Sequence, residues 1–450
     1  LEADKEQVKK IVEEYNISEL LAKILVNKNI TEKKQIELFL NPNRHNFHNP
    51  FLLPDMERAV NRIVKAMENK EKIVIYGDYD VDGITSVTVL KSFFKDRGIE
   101  VNYYIPNRLE EGYGLNKKAI EKIVEDGNKL MITVDCGITG NKEIEYANSL
   151  GLETIVTDHH EPAEELPKAL AVVDAKRKDN IYPFRELAGV GISFKLIQAI
   201  SQKLGLEEEE YLKYLDIVCI GTISDIVPLV DENRVITKLG LKLVEVTKNV
   251  GLKQLLEISG YKKIDSTTIS FGIAPRINAC GRMGHARLAL KLFLTEDAQE
   301  AKQIALQLNE YNKERQEIEK RIFDEAIKQI ENQKSDSEVI VLGKENWHHG
   351  VIGIVSSKIT DLYFKPSILI CFEENIGKGS GRSVPGFDLY DALSNCQDHI
   401  TRFGGHSMAI GITIEKDQFE NFKKDFEEYA HNSNISDIIP IINIDEEIAL

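Results

Sequence analysis

Cysteine is scarce in this chain of 450 residues: Cys136, Cys219, Cys280, Cys371 and Cys396 are scattered, odd in number and include no Cys-x-x-Cys pair. That excludes a disulfide framework and a thiolate zinc site, and it fits a reducing cytoplasm. No apolar run approaches the roughly 20 residues a bilayer crossing needs, and no signal-like segment opens the chain, so no membrane partner is expected. Positive charge is also in deficit, with 57 Lys and Arg against 73 Asp and Glu, a formal net charge of -16. A globally basic nucleic-acid binder is thereby excluded, though a local cleft where metals and a few Arg converge could still hold a polyanion.

What is present is enough apolar residue, 42%, for full cores, in a chain too long for one ordinary domain. The chain opens at Leu1 and closes with IIPIINIDEEIAL, which reads as the first strand of something more, so a fragment of a longer protein is expected. Helical patterns fill residues 1–55, near Lys5 to Tyr15, Ser18 to Lys28 and Glu32 to Leu40, ending in the loop NPNRHNFHNP. His45 and His48 in that loop are read as ordinary surface histidines.

The rest is organised around KIVIYGDYDVDG, Lys72 to Gly83. An apolar strand runs into a loop with Asp78, Asp80 and Asp82 at every second position, and a helical pattern follows from Ile84 to Arg97. Carboxylates crowded this way repel one another unless a cation neutralises them. Further strands are read at Val101 to Ile105, Leu130 to Val134, Thr154 to Thr157 and Leu170 to Val173, with helices starting near Ile84, Asn116 and Gly140. This alternation predicts a doubly wound parallel sheet in an α/β domain. Strand three stops at Asp135 and strand four at Asp158, before His159 and His160. Parallel strands share one carboxyl edge, so Asp80, Asp82, Asp135 and the Asp158-His159-His160 group can converge there. Asp225, after a helix near Tyr211 to Ile220, is a further carboxylate that could complete a second metal position. An oxygen and imidazole donor set without thiolate suits Mn²⁺ or Mg²⁺, and two such ions suit phosphodiester hydrolysis.

Beyond the sheet, short helices are read around Leu241 to Thr247 and Leu252 to Ile258. PRINACGRMG, with Arg276, Asn278 and Arg282, reads as a loop suited to an anion. Residues 296 to 332 form the longest helical pattern, taken as a connector between two lobes. A second α/β unit starts at Glu338, where GKGSGRSVPGFDL and RFGGH read as glycine-rich turns. They carry Ser380, Arg382, Ser383, Gly404, Gly405 and His406, a composition suited to close approach of a phosphate or sugar.

GDYDVDG, ITVDCGIT, VTDHHEP and IGTISDIVPL resemble the ordered motifs of the DHH phosphoesterase superfamily. IPNRLEEGYGLN, LAGVGISFKL, PRINACGR, GSGRSVPGFDL and FGGHSMAIG are similar to its RecJ branch, bacterial exonucleases specific for single-stranded DNA. The likeness runs from about Met56 to Ile414. It implies a catalytic DHH domain over 56–235, a helical region with the long connector over 236–333 and a smaller DHH-associated α/β domain over 338–425. Residues 1–55 would be an N-terminal helical extension and 426–450 the start of a truncated domain of OB type. The implied activity is metal-dependent 5′-to-3′ hydrolysis of single-stranded DNA to mononucleotides, in repair and recombination. The alternative within the superfamily is a phosphoesterase for short oligoribonucleotides or cyclic dinucleotides.

Carried over by residue, the resemblance makes Asp80, Asp82, Asp135, His159 and Asp225 metal ligands, with Asp135 bridging two ions. His160 would face the scissile phosphate, and Asp78 would orient a ligand. Tyr76 stands where some members have a metal-binding His. Substrate would meet Arg108, Arg276, Asn278 and Arg282, together with Ser380, Arg382, Ser383, Gly404, Gly405 and His406; the 5′-phosphate falls to Arg108, Ser380 and Arg382. A RecQ-type helicase and a single-strand-binding protein are the partners expected.

Overall fold

The computed structural model describes residues 3–108, 110–333, 337–433, 435 and 439–448. Its chain forms two compact units, one running to Tyr311 and including the segment from Ile444, the other spanning Asn312–Asn443.

The first unit is built on a sheet of five parallel strands, β1 (Ile73–Gly77), β2 (Asn102–Tyr104), β3 (Leu130–Val134), β4 (Glu153–Thr157) and β5 (Ala171–Val173), in the order β2-β1-β3-β4-β5. All four pairings are parallel, with Gly77 level with Val134, and Val134 level with Thr157. β1 and β3 are buried along their whole length, as strands covered on both faces must be. The order reverses between β1 and β3, the crevice where ligands of open α/β sheets bind.

Three helical boundaries differ from the sequence expectation, and the first two move candidate residues. The helix after β1 begins at Val81 rather than Ile84 and runs to Lys95; Asp80 is its N-cap, accepting from the Gly83 amide at 3.1 Å. Asp82 therefore lies inside the first turn, not in a loop. PRINACGR, read as a loop, lies in a helix, Ala274–Arg282, with proline in the first turn where its missing N–H costs nothing. A helix, Asp231–Val244, fills the stretch after Asp225, where only Leu241 to Thr247 was expected.

The long helix, expected over 296–332, runs Ala298–Gln333; its residues to Tyr311 fall in the first unit and those from Asn312 in the second. The second unit carries a mixed sheet of β6 (Ile340–Glu345), β7 (Ser367–Glu373), β8 (Ile376–Arg382), β9 (Arg402–His406) and β10 (Ala409–Glu415), in the order β6-β7-β8-β10-β9. The glycine-rich segments read as turns are thus two of its strands. In β8 the glycines alternate with Lys378, Ser380 and Arg382 and face large partners: a Cβ on Gly379 would stand 2.9 Å from Ile370 and Ile412 side chains. The helix Phe419–Asn432 runs across the boundary expected at 425. Residues 439–448, read as the first strand of something more, form neither strand nor helix. Among the described residues no helix is long and apolar enough to cross a membrane.

Candidate active site

The carboxyl ends of β1, β3 and β4 carry the acids. After β1 the chain turns sharply through Asp78 and Tyr79 into the helix Val81–Lys95, so tightly that a Cβ on Gly83 would lie 2.5 Å from the Asp78 carbonyl oxygen. Asp82 is buried, and its two oxygens accept from the amides of Gly189 (2.6 Å) and Val190 (2.7 Å), the opening of the helix Gly189–Lys203. Unpaired amides at a helix start are a ready partner for a carboxylate. Asp135 ends β3 in a left-handed conformation, φ 58°, and Gly189 passes so close that a Cβ there would stand 2.8 Å from Asp135 Cβ.

At the end of β4, Asp158 is fully buried. Its Oδ2 accepts from the Ile138 amide (2.9 Å), and its Oδ1 from the His159 amide (2.8 Å) and from His160 Nδ1 (2.7 Å). The first residue of the DHH triplet is therefore spent on orienting the other two. His159 Nε2 lies 3.1 Å from Asp135 Oδ1 and 3.8 Å from Asp82 Oδ2, while its Nδ1 is 3.7 Å from Asp225 Oδ2. Asp225 reaches the cluster from the C-cap of the helix Leu215–Ser224.

Three groups of donors result, each with its atoms within 4.8 Å of one another: Asp82, His159 and Asp225; Asp78, Asp80 and Asp135; and Asp135, His159 and His160. Burial first, then neighbouring carboxylates, pushes Asp78, Asp82 and Asp135 well above the ordinary carboxylate range; Asp225 is raised to about 7 by the same causes. Burial and then the nearby His160 hold His159 neutral, down to about 3. Burial opposes a charge on His160, but the hydrogen bond and charge of Asp158 outweigh it and raise the ring to about 9. Among the described residues Asp78 Oδ1 and His159 Nε2, both buried, have no partner in hydrogen-bonding geometry. Crowded acids, a neutral imidazole and orphaned acceptors fit a pair of hard divalent cations such as Mn²⁺ or Mg²⁺. Asp78, expected to orient a ligand or to fill the coordination position that Tyr76 leaves, stands among the donors themselves.

Tyr76 is not among them. Its ring stacks on Tyr104 at 5.2 Å and its hydroxyl donates to the Gly114 carbonyl. Two residues were not anticipated from sequence. Tyr113 places its hydroxyl 3.4 Å from the Asp135 carbonyl and 3.5 Å from His160 Nδ1. Asp174, just past β5, is buried with Oδ2 unpartnered and is raised to about 7 by burial. Its place at the same sheet edge, as the residue ending the fifth strand, was the available signal.

The residues expected to meet substrate divide. Arg108 sits over the Tyr79 ring at 5.0 Å and its charge acts on Asp78; the charge of Arg282 acts on Tyr79. Asn278 instead braces the acidic turn, its Oδ1 accepting from the Val81 amide at 3.2 Å. Arg276 is engaged internally, donating from Nε to Asn309 and from Nη1 to the Gly272 carbonyl. In the second unit Arg382 donates to Ser380 Oγ (3.2 Å) and to the Gly381 carbonyl (2.7 Å). Ser383 is buried and donates to the Phe387 carbonyl. Gly404, Gly405 and His406 are exposed on β9.

The family model described as "DHH family, N-terminal domain" matches residues 72–222, and that of the "DHHA1 domain" matches 336–432. The single-stranded-DNA-specific exonuclease RecJ of Bacillus subtilis is 41% identical over 447 residues, 98% of this chain and 56% of the relative. RecJ of Haemophilus influenzae is 37% identical over 398 residues, 84% of this chain and 69% of the relative. Among solved structures, Thermus thermophilus RecJ in complex with Mn²⁺ superposes with a TM-score of 0.84 at 31% identity, covering 95% of this chain and 61% of that one. An exonuclease RecJ bound to manganese gives 0.77 at 35% identity, covering 86% of this chain and 97% of that one. The chain thus spans little more than half the length of the Bacillus relative.

Proposed function

The chain belongs to the RecJ family of DHH phosphoesterases, and on that footing we propose that it hydrolyses single-stranded DNA from the 5′ end to mononucleotides, with two Mn²⁺ or Mg²⁺ ions, in DNA repair and recombination. The observation that carries the proposal is the overlap of the donor groups: Asp135 and His159 each belong to two of the three. Overlapping sites a few Å apart are what a two-ion phosphodiesterase needs. We assign Asp82, His159 and Asp225 to one ion, Asp78 and Asp80 to the other, and Asp135 to both.

Bound there, the ions would offset the charge that builds on the phosphoryl group as the ester bond breaks. The chain's own residues supply the rest. Gly189 and Val190 amides fix Asp82, so its carboxylate cannot swing when substrate enters. Asp158 holds His160 by Nδ1, which leaves Nε2 to face the scissile phosphate and the departing oxygen. Arg108 and Arg282 stand beside the acidic turn as contacts for the anionic backbone. Ser380 and Arg382, on β8, are assigned to the terminal phosphate, for which a forked guanidinium is the better match. Gly404, Gly405 and His406 offer open backbone to the strand. A cytoplasmic setting, a RecQ-type helicase and a single-strand-binding protein complete the reading, since unwound strands are the substrate it needs.

The test is a time course on 5′-labelled and 3′-labelled single-stranded DNA with and without Mn²⁺, resolved on a sequencing gel. Mononucleotide should leave first from the 5′ end, and only with metal. Long strands left intact while di- to pentanucleotides disappear would move the chain to the small-substrate branch of the superfamily.

A further inference from the structure

The helix Leu215–Ser224 ends at Asp225, and the next residue, Ile226, takes φ 60°. Helices often close through one left-handed residue, which is ordinarily glycine because it has no Cβ to clash. A β-branched residue in that conformation is an outlier, and strain of this kind persists only where something else requires it. Burial does not reward it here. Ile226 is 89% exposed, and the apolar contact closing the turn comes from Val227, which packs on the core. The Ile226 amide donates to the Ile223 carbonyl at 3.4 Å.

What distinguishes the position is its neighbour. Asp225 belongs to the donor group with Asp82 and His159, and consecutive Cα atoms are about 3.8 Å apart. An exposed apolar side chain thus directly follows a residue of the centre, in a conformation the chain would not choose for itself. A phosphate offers such a group nothing; a deoxyribose and base present apolar surface that leaves water on contact with it.

We propose that Ile226 is a specificity-determining contact for the nucleoside attached to the phosphate being hydrolysed; this rests on the nucleic-acid phosphodiesterase reading above. It packs on the sugar and base, favouring nucleotide esters over phosphodiesters of the same chemistry that lack them.

The test uses the whole chain with Mn²⁺ and two substrates, thymidine 5′-(4-nitrophenyl phosphate) and methyl 4-nitrophenyl phosphate, for Ile226→Gly and Ile226→Asn beside the wild type. Both replacements suit a left-handed residue, so the melting temperature should hold or rise. The ratio of kcat/KM between nucleoside and methyl ester should fall roughly five- to tenfold, as loss of one partly buried aliphatic contact implies. An unchanged ratio in variants that melt normally overturns the assignment alone, and so does a drop of several degrees in both variants, which would make Ile226 a packing residue. A wild type that cleaves neither single-stranded DNA nor the nucleoside ester overturns this assignment together with the functional reading.

Discussion

Asp135 concentrates the electrostatic problem of the site in one side chain. It is buried against Asp82, Asp80 and Asp78, and burial and then those charges hold it far above the ordinary carboxylate range. An acid whose folded-state value is raised destabilises the fold whenever it is ionised, so without metal the site lowers stability as pH climbs past the usual carboxylate range. Asp135→Asn keeps the shape, tolerates the left-handed backbone and removes one repelling charge. In EDTA this variant should melt roughly 1–2 °C above the wild type, the shift that about 1 kcal/mol produces in a unit of this size. Adding Mn²⁺ should reverse the order, because a cation that binds only the folded state stabilises the wild type by mass action. Turnover should drop by more than about a thousandfold, since several kcal/mol of charge stabilisation depend on the ions. Calorimetry with and without Mn²⁺ decides it: a variant that gains as much from Mn²⁺ as the wild type does would remove Asp135 from the metal site.

At the scale of elements, the helix Gly189–Lys203 does for Asp82 what no single side chain could, presenting adjacent amides to both oxygens. Its start must therefore approach β3 closely, and Gly189 is the residue that permits this. In Gly189→Ala the new Cβ would meet Asp135 Cβ and Oδ1 at 2.8 Å. The glycine has an ordinary negative φ, so the fold should survive while Asp135 shifts by tenths of an ångström. We expect turnover to fall about a hundredfold, with the far-ultraviolet circular dichroism unchanged; full activity would show that the turn has slack. Elements also differed in how legible they were. β1, β3 and β4 are apolar runs ending in acids, and the sequence alone placed Asp82, Asp135 and His159 at one edge. The helical start at Val81 was hidden because Asp80 and Asp82 read as loop residues, although one is a cap and the other sits in the first turn. The helix Ala274–Arg282 was hidden by its proline and glycine. Yet the proline lies in the first turn, and Gly281 is small because a Cβ would stand 2.6 Å from the Tyr79 carbonyl oxygen. β8 was missed because glycine ordinarily weakens strands; its partners Ile370, Phe372 and Ile410 supply the bulk that the glycines lack.

At the scale of the molecule, the N-terminal extension is joined to the catalytic sheet through charge as well as apolar packing. Lys195, fully buried on the helix that holds Asp82, donates to Glu232 Oε1 (2.8 Å) and to the His48 carbonyl (2.7 Å), and Glu232 also accepts from Tyr182 and from the His48 amide. A cation buried this deeply depends on its partners, and removing one strands the other. His48, read from sequence as an ordinary loop histidine, closes the network: its Nε2 lies 2.8 Å from Asp231 Oδ1. That hydrogen bond, with burial opposing it and Glu232 and Asp231 adding their charge, raises the imidazole above its ordinary value of 6.5. The folded state thus holds the proton more tightly than the unfolded chain. The added stability is full below about pH 6.5 and is lost as pH rises through the raised folded value. His48→Gln can still donate to Asp231 but carries no charge at any pH. Its melting temperature should lie roughly 1–3 °C below the wild type at pH 5.5, and the gap should close by pH 9. A gap of the same size at both pH values would mean that the ring acts by shape, through its edge-on contact with Tyr182 at 5.6 Å, and that charge does not fasten the extension to the catalytic sheet.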